Sequence, residues 1–462
     1  MSAMTWMKKI ALGVLVFGAC WGGAVWYWRA TNRMPSSVDL ASWLLVLPLG
    51  LLLAGWLGAR LIGASGAAPA AAAPAVPAAS DSTPPPSAPP MAILGAALRA
   101  PHGSNLEDLA GAVAANRARA DLDPELVDDD GFPVMTARSG NADDASLRDE
   151  ITAWFESTGV HDLYLNGEQW RALVMGSAVA GELAAAASAD LLPLEGKAPA
   201  MQLLAVLPAE WSADERRAAG QWLRQVVVAA GWPAAQVALA AELPDEGAAS
   251  PLSALARLAQ HDAANPAALV AIMVACGSHL GEHSIGQWDG GGTLFTSLRP
   301  QGLVPGEGAA GLLLTDLATA RAVQGAAIAM LHTVDEARRH NSADEAKKSD
   351  ASLLGALAEK VMLRAAAQAS EVAMIVADTG HRTSRVLELL GLASAATPQL
   401  DAETDVLRLG TGVGTCGAVP FMTALALGRH HAILLDAPVL CISNEDPYRR
   451  CAALIRPAAS LS

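Results

Sequence analysis

His279, Glu282 and His283 are the first residues here whose types and spacing suit chemistry, because two imidazoles four apart can share a divalent metal on one helix face. A zinc hydrolase of that kind carries its glutamate directly after the first histidine. Leu280 stands there instead, in a glycine-rich stretch, so a solvated loop without metal is expected. Gly412, Gly414 and Gly417 have the spacing that lets a backbone approach a dinucleotide pyrophosphate between a strand (Asp405–Leu409) and a helix. The following strand would end at Asp436, and the 26 residues beyond it are too few to complete a nucleotide-binding unit. Cys20, Cys276, Cys416, Cys441 and Cys451 show neither metal-ligand spacing nor a disulfide framework. Free, buried thiols in a reducing compartment are expected, with no metal and no cofactor.

Alternating apolar runs and amphipathic stretches must position whatever chemistry there is. Strands are expected at Met91–Ala96, Gln202–Pro208, Gln236–Ala240, Ala268–Ala275, Val323–Leu331, Val372–Ala377, Ile433–Leu435 and Val439–Ile442. Helices are expected after a Ser104 or Asn105 cap, at Glu215–Ala230, Ser253–Ala259, Ser352–Ser370 and Val419–Leu427. His430 and His431 then fall at a helix end, where positive charge suits the dipole. Strands alternating with helices define an α/β domain with parallel or mixed sheets, in two similar halves.

The formal net charge of −15 excludes a general nucleic-acid binder, which needs a basic face against phosphates. Residues 1–65 carry Lys8, Lys9, Arg29, Arg33 and Arg60 against Asp39 alone, so the remainder of the chain holds −19. Two apolar stretches, at about 10–28 and 41–60, each approach the length that crosses a bilayer, with tryptophans near the loop between them. A transmembrane hairpin over 1–63 is expected, and the flanking cations favour a cytoplasmic body. A signal peptide, or a lipoprotein box at Phe17–Cys20, is the alternative. Residues 64–90 are an Ala/Pro-rich spacer that cannot bury a core. The body is 91–462.

Gly302-Leu303-Val304-Pro305-Gly306-Glu307-Gly308-Ala309-Ala310 leads into the apolar strand Gly311–Leu314. This stretch resembles the G-F-x-x-G-E-G-A segment of β-ketoacyl synthases, and the resemblance extends over roughly 91–458. It implies a thiolase-like fold, duplicated and layered, which usually forms a homodimer. It also places the family's catalytic positions. The nucleophilic cysteine falls at Gly247–Leu252, where Ser250 is the one plausible nucleophile. The first histidine falls on Thr379, or on His381 if the register shifts. The second falls on Thr411 in Gly410–Gly417. Gly306, Glu307, Gly308, Gly414 and Gly417 are then scaffold turns, and Cys276 and Cys416 small core residues.

The hairpin, the spacer and a degenerate synthase body together resemble the type VI lipase adapter family, as does Pro133–Arg138. That resemblance implies a membrane-tethered, non-catalytic adaptor at the bacterial inner membrane, binding a lipase effector and a secretion spike protein. The competing expectation is acyl transfer or hydrolysis on a thioester by Ser250 with His381. Candidate partner surfaces are the charged run Asp335–Asp350 and a Gly281–Leu298 loop carrying Trp288 and Phe295.

Overall fold

The computed structural model describes residues 90–458 other than 141, 161–162, 196–198, 240–254, 256–257, 259–268 and 346–348, together with Trp21. The hairpin spans, the spacer, Ser250 and the 253–259 helix therefore lie outside the described residues, apart from Trp21, Pro90, Leu255 and Leu258.

The elements run β1 (Met91–Arg99), α1 (Leu106–Ala114), β2 (Asp121–Val127), β3 (Pro133–Thr136), α2 (Ala145–Ser157), α3 (Gly167–Glu195), β4 (Met201–Val206), α4 (Ala213–Ala229), β5 (Val237–Leu239) and β6 (Val270–Ser278). After these come α5 (Glu282–Gly290), β7 (Glu307–Thr315), α6 (Leu317–Ala322), β8 (Ala329–Arg338), α7 (Ser352–Arg364), β9 (Met374–Ala377) and α8 (Thr383–Ala396). Then β10 (Val406–Arg408), α9 (Gly410–Val413), α10 (Val419–Leu435), β11 (Val439–Ser443) and β12 (Arg449–Pro457) complete the described chain.

Ten strands form one mixed sheet in the order β10-β9-β11-β12-β8-β1-β7-β6-β4-β5. Each half follows one plan. Its first strand runs antiparallel to its fifth, the fifth antiparallel to its fourth, and the fourth, second and third are parallel. The halves meet where β1 pairs with β8, Ala92 opposite Met330. The duplicated α/β organisation expected from the sequence is thus present.

Local chemistry explains the elements. β6 and β7 are largely apolar and every residue in them is buried, as strands covered on both faces must be. Asn105 caps α1 through the Asp108 amide, and Ser212 with Glu215 closes a capping box on α4. α10 is apolar nearly all round and lies in the middle of the molecule, against β7, β9, β11 and β12. Leu255 and Leu258 join it in the central core. α3 and α4 cover the outer face of the first half, and α7 and α8 that of the second. α3 is long and apolar enough to cross a membrane, yet it packs on β1, β6 and β7. Gly176 allows that approach, since a side chain there would lie 2.9 Å from Cys276 Sγ.

Several expectations are corrected. Ile433–Leu435 is the last turn of α10 rather than a strand, so Asp436 caps a helix and the dinucleotide-binding reading fails. The strand expected at Val323–Leu331 begins only at Ala329, after the short α6. The run Asp335–Asp350 is not a free loop: its first four residues belong to β8 and pair with β12, and Ser342 and Ala343 are buried. Gly281–Leu298 is built on α5, with Trp288 packed beside Leu126, Val134 and Ile285. His431 is half-buried, and that desolvation, with His430 beside it, pushes its imidazole down to about 4, so it adds little positive charge to the helix end.

Candidate functional site

Chain segments leaving the carboxyl ends of β4, β9 and β11 converge with the loop before β7 and the start of α10. Together they line a cavity of about 740 Å³. Leu207, Pro300, Leu303, Pro420 and Phe421 make much of its wall apolar. Asp378, Arg382, Ser443 and Glu445 supply polar groups, and Cys416 and Cys451 contribute thiols.

Two glycines allow the loops to meet. Pro305–Gly306 runs beside Gly414–Thr415, the Gly306 amide donating to Thr415 O at 3.1 Å and the Thr415 amide to Val304 O at 2.8 Å. A side chain on Gly306 would collide with the Val413 carbonyl, and one on Gly414 would lie 2.9 Å from Gly306 Cα. Gly414 also holds φ +68, ψ −164, a region that only glycine adopts readily. Gly308 faces the Arg99 carbonyl, 2.9 Å from where a Cβ would stand, whereas Gly417 has a positive φ but open space.

Glu307 is a fully buried carboxylate with every oxygen occupied. Arg171 from α3 grips it bidentately, Nε to Oε2 at 2.7 Å and Nη2 to Oε1 at 2.6 Å. The Ser139 amide (2.7 Å) and Ser278 Oγ (3.1 Å) also donate to it. This carboxylate ties α3, β6, β7 and the segment after β3 together.

The expected catalytic positions come apart. Thr379 is fully buried at the end of β9 and its hydroxyl donates to Asn444 Oδ1 at 2.6 Å. Thr411, in α9, turns its hydroxyl back to Arg408 O at 2.9 Å. His381 sits edge-on to Phe295, ring centroids 5.0 Å apart, beside a separate small space of about 10 Å³. Burial holds its imidazole below the usual range, and Nε2 has no hydrogen-bond partner among the described residues. Ser250 lies outside the described residues.

The thiols at the cavity are held protonated. Burial raises Cys416, with Glu307 adding to it, and burial raises Cys451, with Glu336 and Asp378 adding. Cys276, under α3, is pushed up to about 12 by burial alone. Cys276, Cys416, Cys441 and Cys451 are all buried and free, as expected.

Residues that sequence reasoning passed over hold the cavity floor. Asp378 accepts from Ser443 Oγ and from the Asn444 amide at 2.9 Å. Burial nonetheless pushes its carboxyl up to about 6. Arg382 donates to Glu445 Oε1 (2.8 Å) and Asp344 Oδ1 (3.0 Å), and Arg385 shares Asp344 at 2.6 Å. One turn on, Glu388 receives Arg339 at 3.1 Å and Arg450 at 2.8 Å. The one sequence signal was the turn-rich Ser443–Pro447 directly after a strand. The stretch expected as a solvated loop is structured instead: His279 packs on Trp288 and faces Glu210 at 3.4 Å, and Glu282 and His283 open α5.

Comparison with known proteins places the fold. No protein-family model matches the chain, and no curated protein matches it. Among solved structures it is similar to the oxazolomycin ketosynthase domain of Streptomyces albus, at 15% identity and TM-score 0.53, over 80% of this chain and 74% of that one. The ishigamide ketosynthase/chain length factor matches at 15% identity and TM-score 0.51, over 80% and 99%. A bacillaene synthase ketosynthase from Bacillus subtilis matches at 12% and 0.53, over 80% and 72%. The chain has the thiolase-like fold of ketosynthases.

Proposed function

We propose that this chain is a non-catalytic adaptor on a ketosynthase-like fold, tethered to the bacterial inner membrane with its body in the cytoplasm. In this reading it binds a lipase effector and a spike component for type VI secretion. The observation that carries the non-catalytic part is the Thr379 hydroxyl, committed to Asn444 at 2.6 Å where the resemblance calls for an imidazole. Decarboxylative condensation needs a thiolate to take the acyl group and imidazoles to stabilise the enolate. Thr379, Thr411 and two protonated thiols offer neither. A spacer between two apolar segments and an acidic body supports the tether.

Affinity purification of the full chain from its native host should recover a lipase and a spike component. Recovery of neither would defeat the adaptor reading. The largely apolar cavity of about 740 Å³ favours the alternative, an acyltransferase or hydrolase acting through Ser250. Incubation with acyl-CoA and acyl-carrier thioesters followed by mass spectrometry separates the two: the adaptor leaves Ser250, Cys416 and Cys451 unmodified.

A further inference from the structure

We infer that the outward face of the β2–β3 hairpin is a docking surface for another protein, one presenting an apolar segment flanked by lysine or arginine. The inference rests on the adaptor reading and names where that adaptor makes contact.

A two-stranded sheet on a protein surface ordinarily turns its polar residues out. This one also buries a carboxylate and leaves apolar side chains exposed. Inward, Asp123 is buried and accepts from Thr136 Oγ1 at 2.6 Å and Arg138 Nε at 2.9 Å. Beside that ion pair, Leu126 and Val134 pack on Leu280, Ile285 and Leu294 under α5. Outward, Leu122 pairs with Met135 and Val127 with Pro133. Leu122, Val127 and the adjoining Phe132 are 59%, 53% and 66% exposed. The buried ion pair fixes which face looks out, because flipping the hairpin would bury leucine, valine and phenylalanine only by exposing the pair. Leu122 and Val127 share that face through Met135 and Pro133, with Phe132 next to it in the chain, and apolar side chains exposed close together mark an interaction site.

Charge selects the occupant. Asp121, Glu125, Asp129 and Asp130 are exposed around the patch; Arg117 and Arg119 precede it, Arg138 is already held by Asp123 and Glu125, and Arg299 by Asp289, so carboxylates outnumber the cations left over. An anionic lipid surface would be repelled by this rim. A second copy docking the same face would bring the same carboxylates together. A partner segment with cations beside its apolar residues satisfies both the patch and the rim.

The test places the photo-crosslinker p-benzoylphenylalanine at position 132 or 127 of the full chain in its native host, with Leu363, 81% exposed on α7, as control position. Expected are adducts to a protein from 132 and 127 but not from 363, mapping to a peptide with Lys or Arg beside apolar residues. In competition, Phe132→Ser and the pair Asp129→Lys/Asp130→Lys should each lower the yield at least about tenfold, the effect of losing one anchor. Unchanged circular dichroism melting shows that these exposed substitutions leave the fold intact. Adducts to lipid, to a second copy or to nothing, or a yield the variants do not change, overturn the inference. If Phe132→Ser still recovers lipase and spike in full, the surface is wrong and the adaptor stands. An acyl adduct on Ser250 would remove the adaptor whatever the crosslinks show.

Discussion

The bond between Arg171 and Glu307 fastens the start of β7 to α3 through a single carboxylate. Glu307 has no exposed surface and its partner little, so removing the guanidinium leaves a carboxylate buried without compensation. Arg171→Ala should cost about 3–5 kcal/mol in denaturant unfolding. Arg217→Ala, which breaks an exposed pair with Asp214, should cost less than about 1 kcal/mol. Asp378 carries the pH dependence of the cavity floor. Its carboxyl is raised from 3.8 to about 6, so between those values the unfolded chain has released a proton that the folded chain keeps. Stability from this group is complete below about pH 4, falls as pH rises to about 6 and then levels off, by on the order of 3 kcal/mol. The difference between parent and Asp378→Asn unfolding curves across pH 4–7 isolates that slope, and equal slopes would refute it. Glu307 was legible in the sequence because its glycine-flanked turn is local. Asp378, Asn444 and Arg171 were not, since their roles depend on partners at least 65 residues away.

Strands, turns and helices differ in how openly they declare themselves. β6 and β11 could be read from short β-branched apolar runs, and α4 from its period. The 29-residue α3 escaped because an alanine-rich helix has little amphipathic contrast to detect. α10 was cut short, its last turn read as strand, because Ile433–Leu435 is equally apolar in either state. α8 turns Arg385 and Glu388 inward, against the rule that places charge outside. The loop crossing before α10 offers the sharpest contrast. Gly414→Ala meets both a glycine-only backbone region and the Gly306 backbone, and should lose about 3 kcal/mol or more. Gly417→Ala meets only a positive φ, with nothing nearby, and should lose about 1 kcal/mol. Thermal melting of the two variants gives the order directly, and similar losses would mean that the crossing is not tight.

At the scale of the whole body, the central core draws on strands of both halves and on α10, so neither half owns it. The two should unfold as one. Gly414→Ala, though it lies in the second half, should reduce hydrogen-exchange protection in β6 and β7 as much as in β9 and β11. Loss confined to the second half would show independent units. The pairing of β8 has another outcome. Its Leu331 stands opposite Met91 on one side and Ile455 on the other. The first and last strands of the body therefore run parallel with only β8 between them, about 10 Å apart at the sheet's strand spacing. A peptide of a few residues can bridge Pro457 to Met91. The order of the halves along the chain then becomes a matter of where the gene is opened: a circular permutant starting at β8 would keep every strand neighbour and read its second half first.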